Sequence, residues 1–151
     1  MKILITLFCL LFSTVNNCKN ENLNISYINN GNKNTKTIQS SKINSGLKTI
    51  FENSNEILRL AINDEYVNDY KNNNDLLEIE FNEEIEINSP VLNNTKINKI
   101  LLPLSGDLRG DESKNTATAI YYSENILIGN PVRVINGYEA LKYIYQVYKN
   151  E

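Results

Sequence analysis

The sharpest cluster of reactive side chains is an acidic loop with the sequence Asp107-Leu108-Arg109-Gly110-Asp111-Glu112. Three carboxylates on a loop that follows an apolar segment can ligate a cation through oxygen atoms or contact a partner, and loops often carry function. The spacing differs from an EF-hand loop, because the 1-3-5 acidic pattern and the closing glutamate are missing. A solvated loop is the simpler interpretation of Asp107, Asp111 and Glu112.

The same loop also permits a catalytic interpretation. A carboxylate-dependent hydrolase needs one acid held protonated by burial and a second that stays ionised. The loop at 107–112 supplies three candidates, and Glu124 is a further acid that a deep pocket could bring beside them. A concave pocket next to the loop would favour this hypothesis over a binding role.

The sequence offers few other residues or motifs that could support catalysis. The chain has no histidine, which removes the commonest general base and the commonest metal ligand. Its two cysteines, Cys9 and Cys18, are too few for a structural zinc site. No phosphate-binding glycine loop is present, and a net charge of -3 gives no footprint for nucleic acid. We therefore expect no metal and no cofactor, and the composition disfavours an enzyme.

A second group of acidic residues lies on the clearest predicted strand, at 77–81, and on the residues just after it. Alternation puts its apolar residues on one face and glutamates on the other, with Ile85 and Ile87 keeping the pattern beyond a bend. The outward face would carry an acidic row made of Glu78, Glu80, Glu84 and Glu86. This row is either a docking face for a basic partner or a solvated face paired with Lys96 and Lys99.

Tyrosines form a third group, concentrated in the last predicted helix. An exposed Tyr143 or Tyr145 would be an anchor for a partner, because tyrosine supplies rigid amphipathic area at interfaces. Core packing with the hydroxyl reaching solvent explains the same residues.

The first residues have the order of a secretory signal, which we place at 1–17. Lys2 gives a positive start, an apolar run interrupted by Thr6 extends over 3–12, and small or polar residues follow. About ten apolar residues are too few to span a bilayer, which needs roughly 20.

Cys18 follows this segment, with Val15 three positions upstream. The arrangement resembles the lipidation site of bacterial lipoproteins. The resemblance implies that Cys18 carries a lipid such as palmitate, which would anchor the protein to a membrane of the cell envelope. The alternatives are ordinary cleavage, giving a secreted or periplasmic soluble protein, and a signal that is retained as an anchor.

The segment at 18–45 is rich in Asn, Lys, Ser and Thr, and its apolar residues occur singly. Such a composition predicts a disordered tether, which would hold a domain clear of the membrane. The remaining residues, 46–151, suit one domain.

Within that domain we predict a hairpin from strands at 47–51 and 56–62, with a single helix over 47–62 as the alternative. A short helix at 64–72, capped by Asp64, comes next. Strands follow at 77–81, 97–104, 117–122 and 125–128, and the chain ends in an amphipathic helix at 137–149 whose N-cap is Asn136.

These elements predict an α+β fold: a mostly antiparallel sheet of about five or six strands, covered by the C-terminal helix. The function most consistent with the sequence is an exported, lipid-anchored, non-catalytic module that binds an envelope protein or polymer or has a structural role. The carboxylate-dependent hydrolase is the alternative.

Overall fold

Eight strands form one antiparallel sheet in the computed structural model, which describes residues 21–151. The strands are β1 (Asn22–Asn29), β2 (Asn32–Gln39), β3 (Ser54–Ile57), β4 (Asp75–Ile87), β5 (Thr95–Pro103), β6 (Thr116–Ser123), β7 (Ile126–Leu127) and β8 (Val132–Ile135). The helices are α1 (Asn44–Glu52), α2 (Asp64–Asn73) and α3 (Gly137–Asn150). The predicted α+β class is confirmed, with eight strands instead of five or six.

The strand order is β2-β1-β4-β5-β6-β8-β3, and β7 pairs with β6 beside this path. One face of the sheet packs on α1 and α3, and the other packs on α2 and the loop around Leu108. Adjacent residues of a strand point to opposite faces, so the central strands are buried on both sides. Leu76 and Leu77 illustrate this, because they belong to different apolar clusters.

The predicted tether at 18–45 is wrong over its described part. Residues 22–39 form the hairpin β1–β2, and β1 also pairs with the central strand β4. Leu23, Ile25 and Ile28 are buried although they stand singly in the sequence. These residues are buried because β1 pairs with β4, and the composition of the segment alone gives no sign of this long-range pairing. Asn30 and Gly31 turn the chain with φ of 46° and 79°, as an Asn-Gly hairpin turn requires.

The predicted strand at 47–51 is also wrong, because these residues lie in the helix α1. Its buried residues Gly46, Leu47 and Ile50 follow helical spacing and pack towards α3. A Cβ built on Gly46 would lie 2.8 Å from Cγ1 of Ile144, so the absent side chain lets the two helices approach closely. The alternative single helix is wrong as well, since α1 ends at Glu52 and only Ser54–Ile57 continues as a strand.

Ser54 connects this region to the core. Its hydroxyl donates to the carbonyl of Ile50 at 3.0 Å and shares a 2.7 Å hydrogen bond with the hydroxyl of Tyr121. Burial raises the pKa of Tyr121, so the phenol stays neutral and is satisfied by Ser54. This polar contact fixes the end of α1 over strand β6.

The prediction of the second helix is confirmed, with a different cap. The side chain of Asn63, not that of Asp64, accepts a hydrogen bond from the backbone N–H of Tyr66 at 2.8 Å. Val67 and Tyr70 face the sheet and are buried. Strands β4, β5, β6 and β7 cover the four strands predicted between residues 77 and 128, and the bend in β4 is a register shift between Glu80 and Ile85.

The C-terminal helix α3 also begins where the sequence predicts. Asn136 adopts a left-handed conformation and its side chain makes no capping hydrogen bond. The cap is provided instead by Asn115, which precedes β6 and whose side-chain oxygen accepts a hydrogen bond from the N–H of Glu139 at 3.1 Å. Near the end of the helix, the hydroxyl of Tyr148 donates to the carbonyl of Asn34 at 2.9 Å, which ties α3 to the edge strand β2.

We expect Leu141→Ala to lower the free energy of unfolding by about 2 to 5 kcal/mol, because Leu141 is buried in the core beneath α3. Lys142→Ala on the exposed side of the same helix serves as control and should change stability by less than about 0.5 kcal/mol. Urea unfolding midpoints measure both effects. Equal midpoints would show that α3 does not depend on the sheet.

A second prediction concerns the N-terminal hairpin. Ile25→Ala should cost about 2 to 5 kcal/mol, since Ile25 is fully buried between β2 and β4. Asn24→Ala, at the exposed neighbouring position, should have little effect. A disordered tether would leave the urea midpoint of both variants unchanged, so this pair of measurements separates the two descriptions.

Candidate functional site

The predicted signal at 1–17 and the predicted lipidation site at Cys18 lie outside the described residues, which begin at Glu21. The folded domain starts close behind them, because β1 begins at Asn22. Within residues 21–151, no helix is both long and apolar enough to cross a membrane.

The acidic loop uses its first carboxylate for a contact with α2. The side chain of Asp107 accepts a hydrogen bond from the hydroxyl of Tyr66 at 3.0 Å, and Leu108 beside it is buried against the second face of the sheet. Burial, followed by the hydrogen bond and charge of Asp107, raises the pKa of Tyr66. Asp107 therefore helps to hold the loop on the domain.

The other two carboxylates of the loop belong to the start of a short 3-10 turn, Glu112–Lys114, which Asp111 precedes as its N-cap. Asp111 caps this turn, accepting from the backbone N–H and the hydroxyl of Ser113 at 3.0 and 2.7 Å. These hydrogen bonds and the charge of Lys114 lower the pKa of Asp111, so its carboxyl is ionised at neutral pH. Glu112 is exposed.

This geometry offers no support for the hydrolase alternative. The mechanism needs an acid held protonated by burial, whereas Asp111 is stabilised in its ionised form and Asp107 and Glu112 are exposed. Glu124 lies at the exposed turn between β6 and β7, with φ of 48°. In the part of the chain that the structure describes, no three His, Cys, Asp or Glu side chains form a group able to hold a metal ion.

The predicted acidic row on β4 is wrong at Glu78. This residue lies on the face covered by α2, and its side chain is only 3% exposed. Glu80 is partly exposed, whereas Glu84 and Glu86 are exposed. The register does place Lys99 opposite Glu80 and Lys96 opposite Glu86, so the anticipated lysines lie across from these glutamates.

Glu78 is held between two lysines from different elements. Nζ of Lys33, on β2, donates to its Oε1 at 2.6 Å, and Nζ of Lys71, on α2, donates to its Oε2 at 2.6 Å. Lys33 also lies 3.8 Å from the carboxylate of Glu80. The arrangement gives each oxygen of the buried carboxylate a charge-assisted hydrogen bond.

Burial alone would raise the pKa of Glu78, but the hydrogen bonds and charges of Lys33 and Lys71 outweigh it and lower the pKa to about 2. For Lys33, burial would lower the pKa, and its contact with Glu78 raises it instead. Glu78 is therefore ionised and Lys33 charged at neutral pH, as expected for a buried carboxylate paired with two cations.

Lys33, Glu78 and Lys71 line an open depression of about 320 Å³ between the β1–β2 turn and α2. Asn68 and Asn72 contribute from the same side of α2 as Lys71, since they stand at i and i+4 with Lys71 between them. The N–H of Gly31 donates to the carbonyl of Lys71 at 2.9 Å and fixes the turn to the helix. We call this depression, with its two lysines, the lysine site.

The two tyrosines of α3 differ in their surroundings. Tyr143 is 41% exposed, and its hydroxyl donates to the carbonyl of Lys42 at 2.6 Å. The ring of Tyr145 is partly buried and packs on Tyr27 with centroids 5.5 Å apart. Tyr145 therefore contributes to packing, and Tyr143 is the one of the pair that presents area to solvent.

Comparison with family models, curated proteins and solved structures gives no match for this chain.

The sequence contained a signal for the lysine site that alternation obscured. Glu78 is surrounded by apolar neighbours on both sides, Leu76, Leu77 and Ile79, as in a strand covered on two faces. A glutamate in such a strand needs paired cations, because isolated buried charges are too costly. Lys33 and Lys71 could not be identified as the partners without the hairpin and helix that bring them there.

The paired carboxylate should make stability depend on acid pH. Its pKa is lower in the folded protein than the usual 4.5, so the stabilisation is present above about pH 5 and is lost as the pH falls towards 2. We expect the unsubstituted protein to lose about 3 kcal/mol more than Glu78→Gln over this interval. Urea unfolding at a series of pH values measures the difference.

Glu83→Gln, at an exposed position of the same strand, is the matched control and should follow the unsubstituted protein. An identical loss of stability in Glu78→Gln and the unsubstituted protein would contradict the paired state of Glu78.

Proposed function

We propose that the protein is an exported, lipid-anchored, non-catalytic binding module of the cell envelope, attached to the membrane through Cys18. The order of the N-terminal residues carries the proposal: a positive start, a short apolar run, and a cysteine four positions before the first strand. A single acyl chain binds a membrane only marginally, so stable attachment at Cys18 would use more than one chain.

A binding role is favoured over catalysis by the arrangement of polar side chains. In the acidic loop, Asp107 contacts Tyr66, Asp111 caps a turn and Glu112 faces solvent. None of these three carboxylates lines the depression of the lysine site. A depression lined by preorganised charged groups suits recognition of a ligand more than bond cleavage, which needs an acid and a base of separated pKa.

The fold changes the geometry of the attachment. Asn22 lies four positions after Cys18, and an extended chain covers at most about 14 Å over four residue steps. The domain would therefore rest close to the bilayer surface, not at the end of a long tether. Asn22, the first residue of β1, and Glu21 before it would form the membrane-proximal end.

Mass spectrometry of the protein isolated from its native membranes tests the proposal. We expect a mature chain that begins at Cys18 with acyl groups attached, and incorporation of labelled palmitate into the unsubstituted protein. Cys18→Ser should abolish the label and release the protein from the detergent phase, while Ser13→Ala serves as a control that retains both. A soluble, unlabelled protein with a different N-terminus would contradict the proposal.

A further inference from the structure

We propose that the lysine site binds a phosphate group, with Lys33 and Lys71 as its cationic contacts. The inference deepens the binding role proposed above and rests on it, but it does not depend on export or on the anchor.

The charge of the site favours an anion. Among the side chains that line the depression, Lys33 and Lys71 carry two positive charges and Glu78 carries one negative charge. The lining therefore has an excess of one positive charge, which the carboxylate of Glu80, 3.8 Å from Nζ of Lys33, partly offsets. An ammonium group has three N–H donors, and the contact with Glu78 uses one from each lysine. Further donors therefore remain for a ligand.

Glu78 gives these donors a fixed position. Lysine side chains are normally flexible and lose conformational entropy when a ligand orders them. Here the buried carboxylate already holds both ammonium groups at 2.6 Å, and the side chain of Lys71 is only 22% exposed. A ligand would meet two preorganised cations, so less of the binding energy is lost in ordering them.

The arrangement of the cations favours phosphate over carboxylate. Lysine acts as a point charge and is a common phosphate ligand, and a phosphate group carries more negative charge than a carboxylate, so it is attracted more strongly by two cations. Lys33 approaches from strand β2 and Lys71 from helix α2. Two point charges from different directions can each meet a separate oxygen of a tetrahedral phosphate.

Three other side chains near the depression affect how well it can bind an anion. Asn68 and Asn72 can donate hydrogen bonds from their side-chain amides. Glu80 opposes an anion, because its carboxylate lies 3.8 Å from Nζ of Lys33. Lys71 is consequently the stronger contact, since among residues 21–151 its ion pair is with Glu78 alone. The open shape of the depression suits a phosphate carried on a larger molecule.

Nuclear magnetic resonance titration of the full-length protein in detergent with inorganic phosphate tests the inference. We expect saturable shifts of the amide signals of Lys33, Asn68, Lys71 and Asn72, and no saturable shift with sodium acetate or chloride at equal ionic strength. Lys71→Met should weaken the phosphate affinity by about tenfold or more, corresponding to the loss of one charge-assisted contact. Lys48→Met, on the opposite side of the sheet, is the control and should bind like the unsubstituted protein.

Glu80→Gln provides a variant with the opposite expectation. It removes the competing charge near Lys33 at a partly exposed position, so phosphate should bind more tightly, whereas a purely structural pair of lysines would give no change. If Lys71→Met fails to fold, which its amide spectrum would reveal, Lys33→Met replaces it, because the side chain of Lys33 is 45% exposed.

Two results would overturn the inference: equal phosphate affinity in the lysine variants and the unsubstituted protein, or acetate binding as tightly as phosphate. Glycerol phosphate and a phosphodiester-linked oligomer distinguish the source of the group, and saturable binding of either supports the inference. Phosphate binding by a protein that proves to be unacylated would leave this inference standing while the anchor is refuted.

Discussion

The buried carboxylate of Glu78 constrains how three parts of the fold can be arranged. Strand β4 crosses the middle of the sheet, with β1 on one side and β5 on the other, and both faces of its first half are covered. A charge placed there must be paired, because removing one partner of a buried ion pair commonly costs 3 to 5 kcal/mol. Lys33 and Lys71 meet this requirement only when the β1–β2 hairpin and helix α2 are both docked.

The ion group therefore couples the N-terminal hairpin to the centre of the domain. Gly31 donates to the carbonyl of Lys71, so the hairpin turn and the helix are also joined through the backbone. On the opposite face of the sheet, Nζ of Lys36 on β2 donates to the carbonyl of Tyr148 at the end of α3. The edge strand β2 is thus held from both faces of the sheet, which explains how a polar sequence with few apolar residues remains folded.

The elements that could be predicted from sequence have their own periodic pattern. Strands β4 and β5 and helix α3 each contain enough apolar residues in register to identify them, and this pattern gave the α+β class. The hairpin β1–β2 lacked such a pattern because β2 is mostly exposed at the sheet edge. Its local signal was the Asn30-Gly31 turn, and the dispersed asparagines of the chain obscured it.

Helix α1 shows a different reason for failure. Asn53, Ser54 and Asn55 are poor helix formers, which favoured a hairpin over a single helix at 47–62. Helix α1 ends just before them, at Glu52, and is stabilised by packing on α3. The lysine site could not be predicted from the local pattern either. Alternation correctly assigned Glu78 to the face opposite Ile79. What alternation could not reveal was that α2 covers this second face, which turns an expected surface charge into a buried one.

The position of the lysine site along the β1–β2 hairpin relates it to the proposed attachment at Cys18. Lys33 pairs with Ile28, near the end of the strand, whereas the chain enters the strand at Asn22. Ile28 lies six positions along the extended strand from Asn22, so these positions are about 20 Å apart. An anchor at Cys18 would therefore hold the start of β1 near the bilayer, with the lysine site towards the opposite end of the hairpin. The direction of β1 thus makes the proposed short membrane attachment compatible with access of a ligand to the lysine site.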